Sequence, residues 1–410
     1  MKQNLVTKNT MQELSQSSSA FATEIKKEAL DTFKSIPIPK EKEEDWRYTE
    51  IGRLKLENFE PFESKTRIVA TKLSEDLAEK GIILTDINTA FEKYPEISQK
   101  YLFKSAKPEK IKDFLGPENS MNFRGIDKDK FIALNASHFA NGIFLYVPKN
   151  IELDEPIKVN FNFDEKNSII HNMIVIEPNS KIDFIEEYSN NEINQEQLNA
   201  CVTEVFANSN SKINFYHLNN WTKNVYNFTN IVGAIERDAA INWISGCFGG
   251  KLNRLKIDTI FNGQGSQCNN LGIFLGKGKE HIDFTTNMYH NTENTTNEVL
   301  VDGILKDEST SVYRGLIRIP KEGQKTHSYL ENHILKLGDK TLANSIPSLK
   351  IDANDVKASH GATVGQIDEE HLFYLMSRGL SRDEAERLVV EGFFEPVIRK
   401  IPSEELRERI

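Results

Sequence analysis

The apolar positions of this chain follow two periods. Near the amino terminus Leu14, Phe21, Ile25, Ala29 and Phe33 recur at roughly helical intervals, which predicts an amphipathic helix over residues 11–34, ended by Pro37 and Pro39. Residues 72–80 and 86–115 are also compatible with helix, and Gly116-Pro117 marks a boundary after them. From about Phe131 to Val356 the period shortens to two. Runs such as GIFLYVP, PIKVNFNF, NMIVIEP, KIDFIEEY, AAINWISG, RLKIDTIF and HIDFTTNMY are divided by Asn, Asp, Gly and Ser, with no long helix between them. The cores KIDF (from Lys181), KINF (from Lys212), AINW (from Ala240), HIDF (from His281) and SVYR (from Ser311) recur mostly at about 30 residues, with one larger gap wide enough to hide a diverged copy. A lone strand of this kind leaves an apolar face bare, and stacked coils cover it. The repeat therefore favours a β-solenoid over a sandwich, with the helical regions before and after it as natural caps for its ends.

Leu349, Ile351 and Val356 end the β region at Ser359-His360-Gly361, where the glycine is expected to let the chain turn. A helical hairpin follows. Asp368 can cap a first helix that has Glu369 and Glu370 in its positive first turn and buries Leu372, Phe373, Leu375 and Met376, until Arg378-Gly379 stops it. Ser381 and Glu384 have the spacing of a capping box, Leu380 and Ala385 can form a small staple, and Leu388, Val389 and Phe393 carry an apolar stripe to Pro396. The pattern predicts a mainly β protein with a largely helical region over residues 1–120, a β core over 121–359 and a helical region over 360–410.

With 410 residues, two or three structural units are expected. No apolar run approaches the roughly 18 to 20 residues that span a bilayer. The first residues, MKQNLVTKNTMQELSQSSSAF, lack the apolar stretch of a secretory signal, so a cytoplasmic address is expected. A net charge of -10 argues against a broad nucleic-acid surface. Cys201, Cys247 and Cys268 form no CxxC pair; they suit a reducing compartment and burial, and a cluster held by four thiolates of this chain alone is excluded by count.

Candidate chemistry is sparse. Neither G-x-x-x-x-G-K-[ST] nor a strand-linked G-x-G-x-x-G is present, so any ATP dependence must come from another chain. Solenoids often present carboxylates along a groove, but no coherent acid/base pair supports a carbohydrate-active enzyme. His138, His171, His217, His281 and His371 lack a ligand-spaced partner, and His327 and His333 rank behind His360. A lone histidine is ordinarily structural; His360 has an imidazole, a metal ligand that exchanges protons near neutral pH, next to a glycine that permits close approach. The segment EKEEDWRYTEI, Glu41 to Ile51, reads as a solvated acidic cluster with Trp46 and Tyr48 as aromatic anchors.

The run DVKASHGATVGQIDEEHLFYLMSRGLSRDEAERLVVEGFFEPVI closely resembles the carboxyl-terminal signature of the SufB/SufD family, the scaffold subunits of the SUF iron-sulfur cluster assembly system. Ser359-His360-Gly361-Ala362-Thr363 sides with the SufD branch, where SufB usually reads His-Glu-Ala-Thr. Gln324-Lys325-Thr326 and Asn332-His333 also look like SufD, and Glu44 to Thr49 is similar to the E-x-W-[KR]-Y-T element near the start of SufD chains. The likeness covers most of the chain from Glu43 onward. It departs at Ala358, where many SufD chains have Cys-Ser-His. The resemblance implies a right-handed parallel β-helix (β-solenoid) flanked by an N-terminal largely helical domain and a C-terminal helical domain. It further implies a non-enzymatic scaffold that pairs with SufB through the end of the β-helix and engages the ATPase SufC through its last helices. On that basis Phe373, Tyr374, Leu375, Arg378, Leu388, Phe393 and Phe394 are the expected partner-binding residues, and His360 the expected ligand to a transient iron-sulfur cluster shared with SufB. SufB usually has a cysteine, implicated in receiving sulfur, near the place of Asn332; an amide cannot act as that nucleophile. A homodimeric scaffold, or a holding protein for iron or a flavin that works without SufB, is the alternative, weakened by the missing thiols at Ala358 and Asn332.

Overall fold

The computed structural model describes residues 11–14, 19–49, 51–52, 54–62, 66–101, 129–163, 165–401, 404 and 407. The Gly116-Pro117 boundary and the part of the expected helical stretch beyond Tyr101 lie outside the described residues. The amino-terminal part supplies β1 (Met11–Glu13), α1 (Ala20–Ser35), β2 (Thr66–Thr71), α2 (Glu75–Glu79), β3 (Ile83–Asp86), α3 (Ile87–Lys93), α4 (Pro95–Tyr101) and α5 (Lys130–His138). Then come β4 (Ile143–Val147), β5 (Ile157–Phe163), β6 (Asn167–Ile176), β7 (Lys181–Asn190), β8 (Gln197–Ala207) and β9 (Lys212–Trp221). They continue as β10 (Val225–Ile235), β11 (Ala240–Gly249), β12 (Leu252–Phe261), β13 (Gln267–Gly276), β14 (His281–His290) and β15 (Thr296–Leu305). The last strands are β16 (Thr310–Ile319), β17 (His327–Lys336), β18 (Leu342–Ile351) and β19 (Lys357–Gln366), followed by α6 (Glu369–Ser377) and α7 (Arg382–Ile398).

From β4 onward successive strands alternate between two sheets, and each strand pairs in parallel with the strand two positions on. This is a parallel β-solenoid of about 8 turns, with helices at both ends of the sequence. Strict register stacks like on like: Phe184, Phe215 and Trp243 form one lumen-facing row, and each ring so buried contributes about 1.5 to 3 kcal/mol. One corner of each coil takes a left-handed residue, Asn150, Asn179, Asn210, Asp238 and Asn294 among them, and Asn179 and Asn210 each donate a side-chain hydrogen bond to the amide one coil below. Gly265 fills that corner once, at φ +76, where a Cβ would lie 2.0 Å from Asp238 Oδ1.

The five similar cores do not mark one sheet. KIDF, KINF and AINW lie on β7, β9 and β11 of the ten-stranded sheet, whereas HIDF and SVYR lie on β14 and β16 of the nine-stranded one. The long interval is thus one and a half coils; Ala240 stacks on Gln267, so the coil copy at that place is QCNN. The cores look alike because both sheets turn the same alternate positions, Ile182 and Phe184 or Ile282 and Phe284, toward one lumen.

Several boundaries differ from the sequence pattern. The first helix begins at Ala20, capped by Ser19, because Met11–Glu13 pairs antiparallel with β2. A nine-residue helix, α5, stands where the β region was expected to begin; being buried nearly all round it carries no helical stripe. Ser359-His360-Gly361 is not a turn but the middle of β19, since all three pair with β17, and the expected division after residue 359 falls inside a strand. Pro396 lies within α7. The carboxyl-terminal hairpin does not cap the solenoid: Phe394, Val397 and Ile401 pack on Ile244, Leu271 and Ile304, along the flank of the ten-stranded sheet. By contrast, β2 pairs antiparallel with β5 and β3 with β4, which closes the first coil.

The segment Glu44–Thr49 is an anchor through Trp46; Tyr48, expected to anchor as well, is exposed. Trp46 is buried beneath the Arg254 guanidinium, 4.0 Å from its ring centre. Asp283, fully buried, accepts from Arg254 (2.5 Å), Arg314 (2.8 Å) and Thr49 (2.6 Å), and the two arginines also donate to the carbonyls of Asp45 and Arg47.

His290 provides a pH test of the lumen. It stacks on Phe261 and is bonded through Nδ1 to Thr295 (2.7 Å) and through Nε2 to Asn297 (2.8 Å), and burial lowers its pKa to about 3. Between the ordinary histidine value near 6.5 and about 3 the unfolded chain binds a proton that the folded chain refuses, so stability falls as pH drops through that window. The urea midpoint is expected to decline below pH 6.5, and less steeply in His290→Gln; equal slopes in the two proteins would contradict this.

Candidate functional site

The solenoid ends in a coil that no described element covers. β18 and β19 are the terminal strands of the two sheets, and among the described residues neither has a neighbour on its outer edge. Register fixes where their side chains point. His360 pairs with Leu330, which stacks on Val299, Asn270 and Trp243, so His360 occupies a lumen-facing row yet is exposed for want of a further coil. Ala358, Ala362 and Val364 share its face of β19, which leaves His360 as the one metal-ligating side chain on that face.

One coil below, Asn332 is fully buried. Its Nδ2 donates to the Val301 carbonyl (2.8 Å), and its Oδ1 accepts from the Ser345 hydroxyl on β18 (2.8 Å), across the lumen. Sequence reasoning missed Ser345; its partner is 13 residues away with no motif linking the two. His333 faces outward beside them, with Nδ1 2.9 Å from Asp302 Oδ1. Burial raises the Asp302 pKa, and the His333 contact offsets part of that.

Most of the remaining candidates resolve into structural roles; His327, at the start of β17, is exposed. His171 and His217 are buried against Glu204 (3.0 Å) and Glu186 (2.7 Å), His138 sits between the rings of Phe33 and Phe62, and His281 is bonded to Thr310. His371 is exposed, 3.6 Å from Asp368. All three cysteines are buried and free; burial pushes the thiols of Cys201 and Cys268 up to about 12, and that of Cys247 higher, so none is a nucleophile near neutral pH. Among the described residues no group of three His, Cys, Asp or Glu side chains is placed to hold a metal ion.

The hairpin is built as its caps required. Asp368 caps α6, and Ser381 with Glu384 forms the full capping box of α7. Ile367, Leu372 and Ala385 make its small core, joined by Leu375, Leu380 and Val389, and Arg382 ties the two helices through Glu369 (2.7 Å). The seven expected partner-binding residues do not share one surface. Phe373 is 73% exposed, and Tyr374, Arg378 and Leu388 are also exposed, with the Arg378 guanidinium over the Tyr374 ring. Leu375 is half-buried in the hairpin core. Phe393 is half-buried and Phe394 only 7% exposed, both against the solenoid, so Phe394 is not available to a partner; Phe373 and Met376, expected inside, are outside. The helical period places a stripe, but which flank of it meets the sheet depends on how α7 lies on the solenoid.

Comparison with known proteins gives the family. The family model for the SUF system FeS cluster assembly SufBD core domain matches residues 160–393, and that for the SufBD protein N-terminal region matches residues 62–159. The chain belongs to the SufBD family. It is an iron-sulfur cluster assembly protein of that family. It is 28% identical to the iron-sulfur cluster assembly protein SufD of Bacillus subtilis (strain 168), over 95% of this chain and 92% of the relative. It is also 28% identical to iron-sulfur cluster assembly SufBD family proteins of Staphylococcus aureus (strain MRSA252) and Staphylococcus saprophyticus, over 83% of this chain and 70% of each relative. The SufBD core match takes in β19 with His360, both helices of the hairpin up to Phe393, and Asn332. Among the described residues no helix is long and apolar enough to cross a membrane.

The two sides of the hairpin are separable by stability. Phe394→Ala is expected to destabilise the protein by about 3 kcal/mol, and Phe373→Ala to change it by less than about 0.5 kcal/mol, in denaturant titrations followed by circular dichroism. Equal losses would contradict the assigned faces.

Proposed function

We propose that this chain is a SufD-type, non-enzymatic scaffold subunit of the cytoplasm. It meets a SufB chain end to end at β18 and β19, receives the ATPase SufC on the exposed face of α6 and α7, and sets His360 beside a transient iron-sulfur cluster. The open last coil, with one imidazole in the lumen-facing row of its final strand, carries this reading. A cluster needs several ligands, and β19 offers one on this face, so the others come from a second chain. Buried thiols and the amide at Asn332 leave no sulfur acceptor on this side of the junction, which assigns sulfur capture to the partner. Similarity to the SufD protein of Bacillus subtilis supports the SufD branch. Free cysteines suit the reducing cytoplasm. A second copy of this chain on the same end, with iron or a flavin held between copies, is the alternative. Purification of the native complex without oxygen, followed by subunit identification and by iron, sulfide and flavin analysis, separates the two.

His360→Ala is expected to leave folding and assembly with SufB and SufC nearly intact, because the side chain is exposed and, among the described residues, has no hydrogen-bond partner that would be orphaned, while lowering the iron and sulfide recovered per complex severalfold. Melting curves and anaerobic metal analysis on the same preparations check this; wild-type loading in the variant would sink the role of His360. For the hairpin, Leu388→Asp places a charge on the exposed face and should weaken SufC binding at least tenfold with an unchanged circular dichroism spectrum. Undiminished affinity would remove the hairpin as the SufC site.

A further inference from the structure

A groove of about 1080 Å³ crosses the outer face of the nine-stranded sheet at the corner where its strands begin. Its floor follows one register row: Tyr226 on β10, Leu252 on β12, His281 on β14, Thr310 on β16 and Leu342 on β18. Four strand spacings of about 4.8 Å make it roughly 19 Å long. At its inner end Tyr226 and Leu252 are buried in the amino-terminal core. At its outer end Leu342 is 63% exposed, on the strand whose outer edge has no partner among the described residues.

Tyr48 lines the same groove. It is 48% exposed, and its backbone lies in the left-handed region at φ +66, where a residue with a Cβ is strained. The other described non-glycine residues with positive φ are Asn, Asp or Lys at turns of the solenoid. The strain is imposed from both sides: Arg254 holds the Asp45 carbonyl, Arg314 the Arg47 carbonyl, and Asp283 the Thr49 hydroxyl, with Trp46 buried between. An exposed aromatic ring held in an unfavourable conformation by buried charges is a presented group.

The groove does not select an anion. Three of its four rim lysines are paired, Lys223 with Glu192 (3.0 Å), Lys251 with Glu196 (2.6 Å) and Lys279 with Glu308 (3.7 Å), and the fourth, Lys277, stands beside Glu280. What it offers is apolar contact at Tyr48 and Leu342, continuous with the unpaired edge of β18. We infer that this groove is a side pocket of the end-to-end junction: a solenoid chain of the SufB type seated on β18 and β19 lays an apolar or aromatic side chain into it against Tyr48 and Leu342. The inference rests on the end-to-end reading above and adds to it a contact outside the strand edges.

The test uses the full chain and the SufB chain of the same organism, with affinity measured by titration and folding by thermal melting. Tyr48→Gly removes the ring and relieves the positive φ, so its Tm should not fall while affinity drops at least tenfold. Leu342→Ser, at an exposed strand position, should weaken binding in the same direction with an unchanged Tm, which keeps the test valid if Tyr48→Gly unfolds the anchor. Val364→Asp, on the end face of β19, reports on the junction itself. Loss of pairing in Val364→Asp with affinities within twofold of wild type in both groove variants overturns the groove and leaves the junction standing. Wild-type pairing in Val364→Asp overturns the junction, and the groove inference with it.

Discussion

A parallel ladder in strict register passes its unfinished work from coil to coil. Every lumen-facing side chain is covered by the one above it, and every strand edge is satisfied by the next strand, so the arrangement has no intrinsic end. This chain closes one end with itself: β2 and β3 run antiparallel against β5 and β4 and satisfy the first coil. Among the described residues nothing closes the other end. His360 on β19 is exposed because it stands where a further coil would cover it, and among the described residues no element takes that place.

The hairpin follows from the same constraint. Had α6 and α7 folded over the last coil, they would have covered His360. Instead Phe394, Val397 and Ile401 bind the flank of the ten-stranded sheet, with Lys306 paired to Glu386 (3.0 Å) and Lys400 to Glu298 (2.5 Å). One half of α7 thus serves as an attachment. The other half and α6 hold Phe373, Tyr374 and Leu388 in solvent.

The anchor at Glu44–Thr49 shows how charge fixes a surface segment. Burial alone would push Asp283 up, but Arg254 and Arg314 outweigh that and hold its carboxyl below the usual carboxylate range. Removing one member of such a buried set costs about 3 to 5 kcal/mol, because the others are left uncompensated. The energy is local, yet its effect reaches Tyr48, which two arginines and an aspartate hold at a backbone angle that its side chain disfavours.

Much of this was legible in the residues. Period-two runs and strand cores recurring at about 30 residues favoured a solenoid, because each strand position imposes its requirement locally. Asp368, Ser381 and Glu384 likewise specified helix starts through hydrogen bonds within three residues. Decisions between distant parts of the chain were not legible. The same I-x-F core serves either sheet, since both face one lumen, so the pattern could not say that HIDF had changed sheets. Gly361 permits a turn, but pairing of Ser359, His360 and Gly361 with β17 keeps it in a strand. Phe373 and Phe394 look equally apolar, and only the placement of α7 on Ile244 and Leu271 buries one and exposes the other. The sequence alone determined the kind of coil and the chemistry of His360; that this imidazole stands uncovered in a lumen row, above an Asn332 locked by Ser345, was decided by tertiary register, because stacking joins residues about 30 positions apart that no local preference connects.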